Sequence, residues 1–103
     1  MIIVSVIYPK QEGGEFNYEY YLEKHMPLVK ERLGDAIKGA EVYKGLSGAG
    51  GAAETYVTVA CLFLESVEAF GGAFGPHAEE IMGDIPNFTN IEPTVQIEEQ
   101  MMG

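Results

Sequence analysis

The run from residue 54 to residue 64 is apolar on both of the faces that an extended strand presents. Alternate residues of a strand point to opposite sides of a sheet. In this run one alternate set is Val57, Val59, Cys61 and Phe63, and the other is Ala60, Leu62 and Leu64. A sheet that contains this strand needs cover on both faces. Helices of the same chain can cover one face, and we expect a second copy of the chain to cover the other, as a homodimer.

The rest of the chain predicts three further strands and two helices. The β-branched and aromatic run Ile2–Tyr8 predicts the first strand, and residues 37–46, 54–64 and 91–98 predict the others. Helices are expected from the cap Asn17 to Gly34 and from the cap Ser66, with a break at residues 75 and 76, to the turn that begins at residue 84. The order β-α-β-β-α-β predicts an α+β, ferredoxin-like fold, a four-stranded antiparallel sheet with both helices on one face.

Size and charge limit the partners of the chain. Its 103 residues, 47% of them hydrophobic, fit one domain that spans residues 1–103. A net charge of -10 repels phosphate backbones and anionic headgroups, which argues against nucleic acid and membrane as partners. Cys61 is the single cysteine and cannot close an internal disulfide, and the short run Ile2–Tyr8 lacks the basic segment of a signal peptide. We therefore expect a cytoplasmic protein.

His25 is the side chain best suited to chemistry. It lies in the middle of the apolar arc of the first predicted helix, so it is expected to point inward. Pro27 cannot donate a helical hydrogen bond, which predicts a kink and a pocket beside His25. Histidine titrates near neutral pH and can exchange a proton with a bound molecule, with Tyr21 as a second donor. The alternative is a structural histidine, bonded to a freed carbonyl or to a tyrosine hydroxyl.

Other polar side chains have weaker prospects. Asp84 precedes Ile-Pro-Asn at the end of the second helix. There we expect its side chain to bond to local backbone amides, and an interaction with a binding partner is the less favoured alternative. His77 is expected to face solvent, and Tyr20 falls on the polar side of the helical wheel, which predicts a surface or interface role. Cys61 is expected to pack within its strand.

Two common kinds of site are excluded. The glycine-rich residues 48–51 join two strands and are not followed by Lys-Ser or Lys-Thr, so they do not form a phosphate-binding loop. The two histidines lie in different helices without further ligands at metal-binding spacing, so we expect no metal site.

Several blocks of the sequence, in the same order, resemble the EthD family. They are Phe16, Tyr20-Tyr21, His25-Met26-Pro27-Leu28-Val29 and Asp84-Ile85-Pro86-Asn87-Phe88-Thr89. The resemblance covers nearly the whole chain. It implies the dimeric α+β barrel superfamily, in which ferredoxin-like subunits pair through their sheets, in agreement with the homodimer expected from the third strand.

The resemblance also implies the location of a ligand site. The site is expected in the cavity between helices and sheet, with His25 in it, and Tyr21 and Asp84 follow as candidates by matching position. The family name comes from a gene cluster for degrading ethyl tert-butyl ether. Relatives in the superfamily include monooxygenases, cyclases, isomerases and haem-degrading enzymes, so the fold does not fix the reaction. The chain has no haem or flavin signature, and we expect no cofactor.

Two functions fit these observations. The first is an enzyme that transforms a small apolar or aromatic metabolite by cofactor-independent acid/base chemistry, in which Tyr21 orients the substrate or stabilises an oxyanion. The second is a non-catalytic protein that binds such a molecule or assists a degradation pathway. A third possibility is a dimer whose cleft is packed shut.

Overall fold

The computed structural model describes residues 1–103 and contains one antiparallel sheet. Its strands are β1 (Ile2–Pro9), β2 (Gly39–Lys44), β3 (Tyr56–Leu64) and β4 (Thr94–Glu99). Their order across the sheet is β2-β3-β1-β4, because β1 pairs with both β3 and β4 while β2 pairs with β3. The predicted α+β, ferredoxin-like architecture is confirmed.

The first helix occupies residues 18–33 and contains a widened turn. It consists of α-helical Tyr18–Tyr20, a π-helical turn over Tyr21–His25 and α-helical Met26–Leu33. In the widened turn the N–H of Met26 donates to the carbonyl of Tyr21, five residues earlier. Pro27 follows at once and has no N–H to donate. The disturbance predicted at this proline thus takes the form of a π-helical turn that ends at His25.

The second helix is divided where the sequence predicted a break. It consists of α-helical Val67–Phe74, a 3-10 turn over Gly75–His77 and α-helical Ala78–Gly83, followed by a short turn over Ile85–Asn87. Ser66 caps its start, because its Oγ accepts from the N–H of Ala69 at 3.0 Å. The guanidinium of Arg32 donates two hydrogen bonds to Glu80, at 2.8 and 3.0 Å, and ties the two helices together.

The two faces of the sheet differ in burial. Every second residue of β3 from Thr58 to Leu64 is buried, and these side chains join the core with residues of both helices. The alternate residues are only partly buried. The opposite face, which we call the bare face, carries Ile3, Ser5, Ile7, Glu41, Tyr43, Val57, Val59, Cys61, Phe63, Thr94, Gln96 and Glu98, by the pairing of the strands.

Two strand boundaries differ from the prediction. β2 covers Gly39–Lys44 instead of residues 37–46, and β4 begins at Thr94 instead of residue 91. Ile91 was assigned to the strand because it is apolar, but it is buried in the core as part of the preceding loop. Pro93 has no N–H for a ladder bond, which fits the later start of β4. Neither helix has the length and apolar character required to cross a bilayer.

Candidate functional site

An apolar cavity of about 260 Å³ lies between the sheet and the two helices. Its walls include Val6 and Leu62 from the sheet and Phe74 and Ile81 from the second helix. Lysine, arginine, aspartate and glutamate are absent from the lining, and polar side-chain atoms come from His25 and Tyr8. The cavity is thus suited to a small, uncharged and largely apolar molecule.

His25 is held against a carboxylate. The residue is 5% exposed, as predicted for an inward histidine, and its Nδ1 lies 3.0 Å from Oδ2 of Asp84. The other carboxylate oxygen, Oδ1, accepts from the hydroxyl of Tyr20 at 2.6 Å and from the side-chain amide of Asn87 at 2.9 Å. Both oxygens of Asp84 are therefore engaged, and the imidazole is fixed by a side chain whose own position is fixed.

The environment determines the charge of this pair. Burial lowers the pKa of His25 below its ordinary value, and attraction to Asp84 only partly opposes that shift. Burial would raise the pKa of Asp84, but hydrogen bonds from Tyr20, Asn87 and His25 outweigh it, and the pKa falls. Near neutral pH the pair is a neutral imidazole beside a carboxylate. Since a carboxylate only accepts, Nδ1 carries the proton and Nε2 keeps a free lone pair.

The π-helical turn explains how two side chains of one helix reach the same carboxylate. Tyr20 and His25 are five residues apart, which places them on different sides of an α-helix but about one turn apart in a π-helix. Both can therefore bond to Asp84. Tyr20, expected on the surface or at an interface, is partly exposed and in addition bonds to Asp84. A helical wheel gives no sign of that bond, because it assumes a constant 100° per residue.

Asp84 does more than bond within its own turn, which was the favoured interpretation. The bond from Asn87 is local, as expected for a turn, but Tyr20 and His25 approach from the first helix. The partners foreseen for a structural His25, a backbone carbonyl or a tyrosine hydroxyl, are replaced by a carboxylate. Sequence alone gives no signal for this contact, because 59 residues separate His25 from Asp84.

Tyr21 lies beside the imidazole and outside the cavity wall. It is 1% exposed, and its ring stacks on that of His25 with centroids 5.5 Å apart and an interplanar angle of 17°. Phe88 packs against His25 from another side, at 4.7 Å. The phenol that lines the cavity is that of Tyr8 in β1. The sequence could have indicated this position, because Tyr8 is spaced evenly from Val4 and Val6 and alternate strand residues share a face.

The remaining reactive side chains lie away from the cavity. His77 is partly exposed and Cys61 is partly exposed on the bare face, and neither lines the cavity. No three His, Cys, Asp or Glu side chains come close enough together to bind a metal ion.

One solved structure identifies the family. An EthD-like protein from Ralstonia eutropha is 44% identical to this chain over 98% of the chain and 92% of its own length, with a TM-score of 0.92. The chain belongs to the EthD family. The sequence resemblance carried by the His25 and Asp84 blocks is thereby confirmed.

More distant structures share the fold with this EthD-family protein. An ethyl tert-butyl ether degradation (EthD) family protein from Bacillus halodurans is 15% identical, with a TM-score of 0.69 over 98% of this chain and 99% of its own. A protein from Arabidopsis thaliana is 15% identical, with a TM-score of 0.68 over 99% and 96% of the two chains. No protein-family model and no curated protein sequence matches the chain.

Proposed function

We propose that this EthD-family protein binds a small, uncharged apolar or aromatic molecule in the cavity and transforms it by acid/base chemistry that requires no cofactor. The observation that carries the proposal is a single imidazole, His25, anchored to Asp84 at the wall of a cavity whose other lining residues are hydrophobic or, for Tyr8, aromatic with one hydroxyl. A neutral imidazole with its Nδ1 proton bound leaves Nε2 to accept a proton from a molecule in the cavity.

Each neighbour of His25 has a part in this proposal. Asp84 holds the imidazole in one tautomer and stabilises the imidazolium that forms when a proton is accepted. Tyr21 stacks on the ring and limits its rotation. The apolar walls exclude water, which strengthens the interaction between a developing charge and the protein.

We further propose that two copies of the chain pair through their bare faces. The partly buried Val57, Val59 and Phe63 make this face apolar along β3. An isologous pair, in which each copy covers the other's sheet, would bury these side chains in both copies at once. The dimer places the cavities on the outer sides of the paired sheets, so assembly and chemistry use opposite faces.

The experiment that tests the proposed chemistry begins with a binding screen. Neutral aromatic compounds that raise the melting temperature are retained, and each is incubated with the protein and examined for conversion by mass spectrometry. The variant His25→Gln should then lose about 10²- to 10⁴-fold in rate while affinity changes little. His77→Gln is the matched control, because His77 lies outside the cavity.

The outcomes separate enzyme from binding protein. Turnover that survives His25→Gln unchanged would contradict the acid/base assignment. If every retained compound is recovered unaltered, and His25→Gln weakens its binding, the protein is a binding or accessory protein that uses His25 only as a hydrogen-bond partner.

A further inference from the structure

Tyr8 carries a buried hydroxyl without a partner in the protein. The residue is 1% exposed, and its ring packs edge-on against Phe16, Tyr21 and Phe88 with centroids 5.1 to 6.1 Å apart. The hydroxyls of Tyr18, Tyr20 and Tyr43 each make hydrogen bonds within the chain, whereas those of Tyr8, Tyr21 and Tyr56 make none, and of these three Tyr8 is the one that lines the cavity. No fully enclosed polar side-chain atom lacks a partner, so the oxygen of Tyr8 must border open space. Tyr8 lines the apolar cavity.

The state of this phenol makes it a donor. Burial, together with the nearby phenol of Tyr21, raises the pKa of Tyr8 far above neutral, so the hydroxyl keeps its proton. In the cavity wall the Nδ1 proton of His25 is already bound to Asp84. The hydroxyl of Tyr8 is therefore the side-chain donor that remains free for a molecule in the cavity, and a buried donor gains most from a partner that accepts.

We propose that Tyr8 is a ligand-binding residue whose hydroxyl donates to a carbonyl oxygen, so that the cavity selects neutral, apolar ketones or aldehydes. A charged acceptor such as a carboxylate is disfavoured, since no lysine or arginine lines the cavity to balance it. A carbonyl is also the neutral acceptor that makes a neighbouring C–H bond acidic. One functional group of the ligand thereby uses both polar side chains of the cavity.

The step that follows rests on the proposed role of His25 as a base. The C–H bond next to the carbonyl breaks, the proton passes to Nε2 of His25, and the electron pair moves onto the carbonyl oxygen to form an enolate. The hydroxyl of Tyr8 stabilises that oxygen as its negative charge develops. Return of the proton to the same carbon or to another one completes an exchange or an isomerisation, and no oxidant or reductant is consumed.

A pair of probes tests the selection of a carbonyl. β-Tetralone is a neutral aromatic ketone with acidic C–H bonds beside its carbonyl, and tetralin has nearly the same shape without the carbonyl. Calorimetric titration of the wild-type protein should show β-tetralone binding about fivefold to tenfold more tightly than tetralin, the gain expected for one neutral hydrogen bond. Equal binding of the two probes by the wild-type protein would overturn the proposal without any variant.

Three tyrosine variants locate the donor. Tyr8→Phe removes a hydroxyl that has no partner in the protein, so the variant should fold, and its binding of β-tetralone should fall to the level of tetralin. Tyr21→Phe keeps the ring that stacks on His25 and removes only a buried hydroxyl outside the cavity wall. Tyr56→Phe, at a residue that is 44% exposed, is the control that should leave the preference unchanged. If the preference for the ketone persists in Tyr8→Phe, or disappears in Tyr21→Phe instead, the proposal is wrong.

Proton exchange separates this inference from the proposed function. In D₂O, loss of the proton NMR signal beside the carbonyl of β-tetralone, above the rate in buffer, should require His25 and should slow about a hundredfold in Tyr8→Phe. If exchange depends on His25 but is as fast in Tyr8→Phe as in the wild-type protein, the proposed function stands and the inference about Tyr8 is overturned. A ketone preference that needs Tyr8 without any catalysed exchange supports the binding role and counts against the acid/base function.

Discussion

The two faces of the sheet are both rich in apolar side chains, but their polar groups are arranged differently. On the bare face most polar side chains bond to one another: Ser5 donates to one oxygen of Glu98 and Gln96 to the other, and Tyr43 donates to Glu41. On the face that the helices cover, Asp84 uses both of its oxygens to hold neighbouring side chains, yet His25 and Tyr8 each keep one polar atom free at the cavity.

This difference indicates a division of roles. A surface on which most polar side chains bond to one another, and whose other side chains are largely apolar, is suited to contact with another protein surface. A cavity with free polar atoms at fixed positions is suited to a small molecule that completes their hydrogen bonds. Changes on one face should therefore leave the property of the other face intact.

The largest effect is expected from Asp84→Asn on the helix-covered side. The amide can donate to Nδ1 and favour the tautomer that carries its proton on Nε2, so turnover should fall by about 10²- to 10⁴-fold. Rates are measured on a compound that the binding screen shows to be converted. The variant should still assemble as a dimer, so the mass of the assembly in solution should not change. Glu80→Gln is the control, because Glu80 is a carboxylate of the same helix that pairs with Arg32 instead. An equal loss in both variants would show that charge on this helix matters and the tautomer does not.

A large effect on assembly is expected from Val59→Lys on the bare face. The wild-type protein should sediment at twice the 11.2 kDa mass of the chain. Burying an unpaired ammonium costs several kcal/mol, so the dimer dissociation constant should rise at least about a hundredfold. Leu46→Lys adds the same charge at a residue that is 84% exposed and should leave the dimer intact. A wild-type monomer in analytical ultracentrifugation would contradict the proposed pairing.

The smallest effect is expected from Tyr20→Phe, which should shift the pH at which activity declines. Because the pKa of His25 is lowered, wild-type activity should be constant above pH 7 and decline as the pH falls through that lowered value. Loss of the Tyr20 hydrogen bond leaves more negative charge on Asp84, which should raise the pKa of His25 and move the decline to higher pH. Proton NMR titration of the wild-type protein and of Tyr20→Phe follows the imidazole of His25 directly. An unchanged titration of His25 would exclude this role for Tyr20.

The lowered pKa of His25 also makes the free energy of unfolding depend on pH. The unfolded state accepts a proton on His25 near the ordinary value of about 6.5, whereas the folded state resists it. As the pH falls below that value the unfolded state is favoured, and the free energy of unfolding should decrease. In His25→Gln, measured by urea denaturation, this part of the decrease should disappear.

Local patterns in the sequence predicted much of the fold. The β-branched run Ile2–Tyr8 gave the first strand, the caps Asn17 and Ser66 gave the helix starts, and Gly75-Pro76 gave the break, because each signal acts within a few residues. The edges of β2 and β4 were less accurate. An apolar residue such as Ile91 is buried in a loop as readily as in a strand, and its period alone does not distinguish the two.

The sequence by itself determined that this chain folds as an α+β domain of the EthD family, with apolar residues on both sides of its sheet and an inward histidine. Those properties depend on the spacing and type of neighbouring residues. Only the tertiary structure decided that His25 bonds to Asp84, that Tyr20 joins them, and that Tyr8 instead of Tyr21 lines the cavity. These contacts join residues far apart in the chain and depend on one π-helical turn, whose change of register no fixed helical period describes.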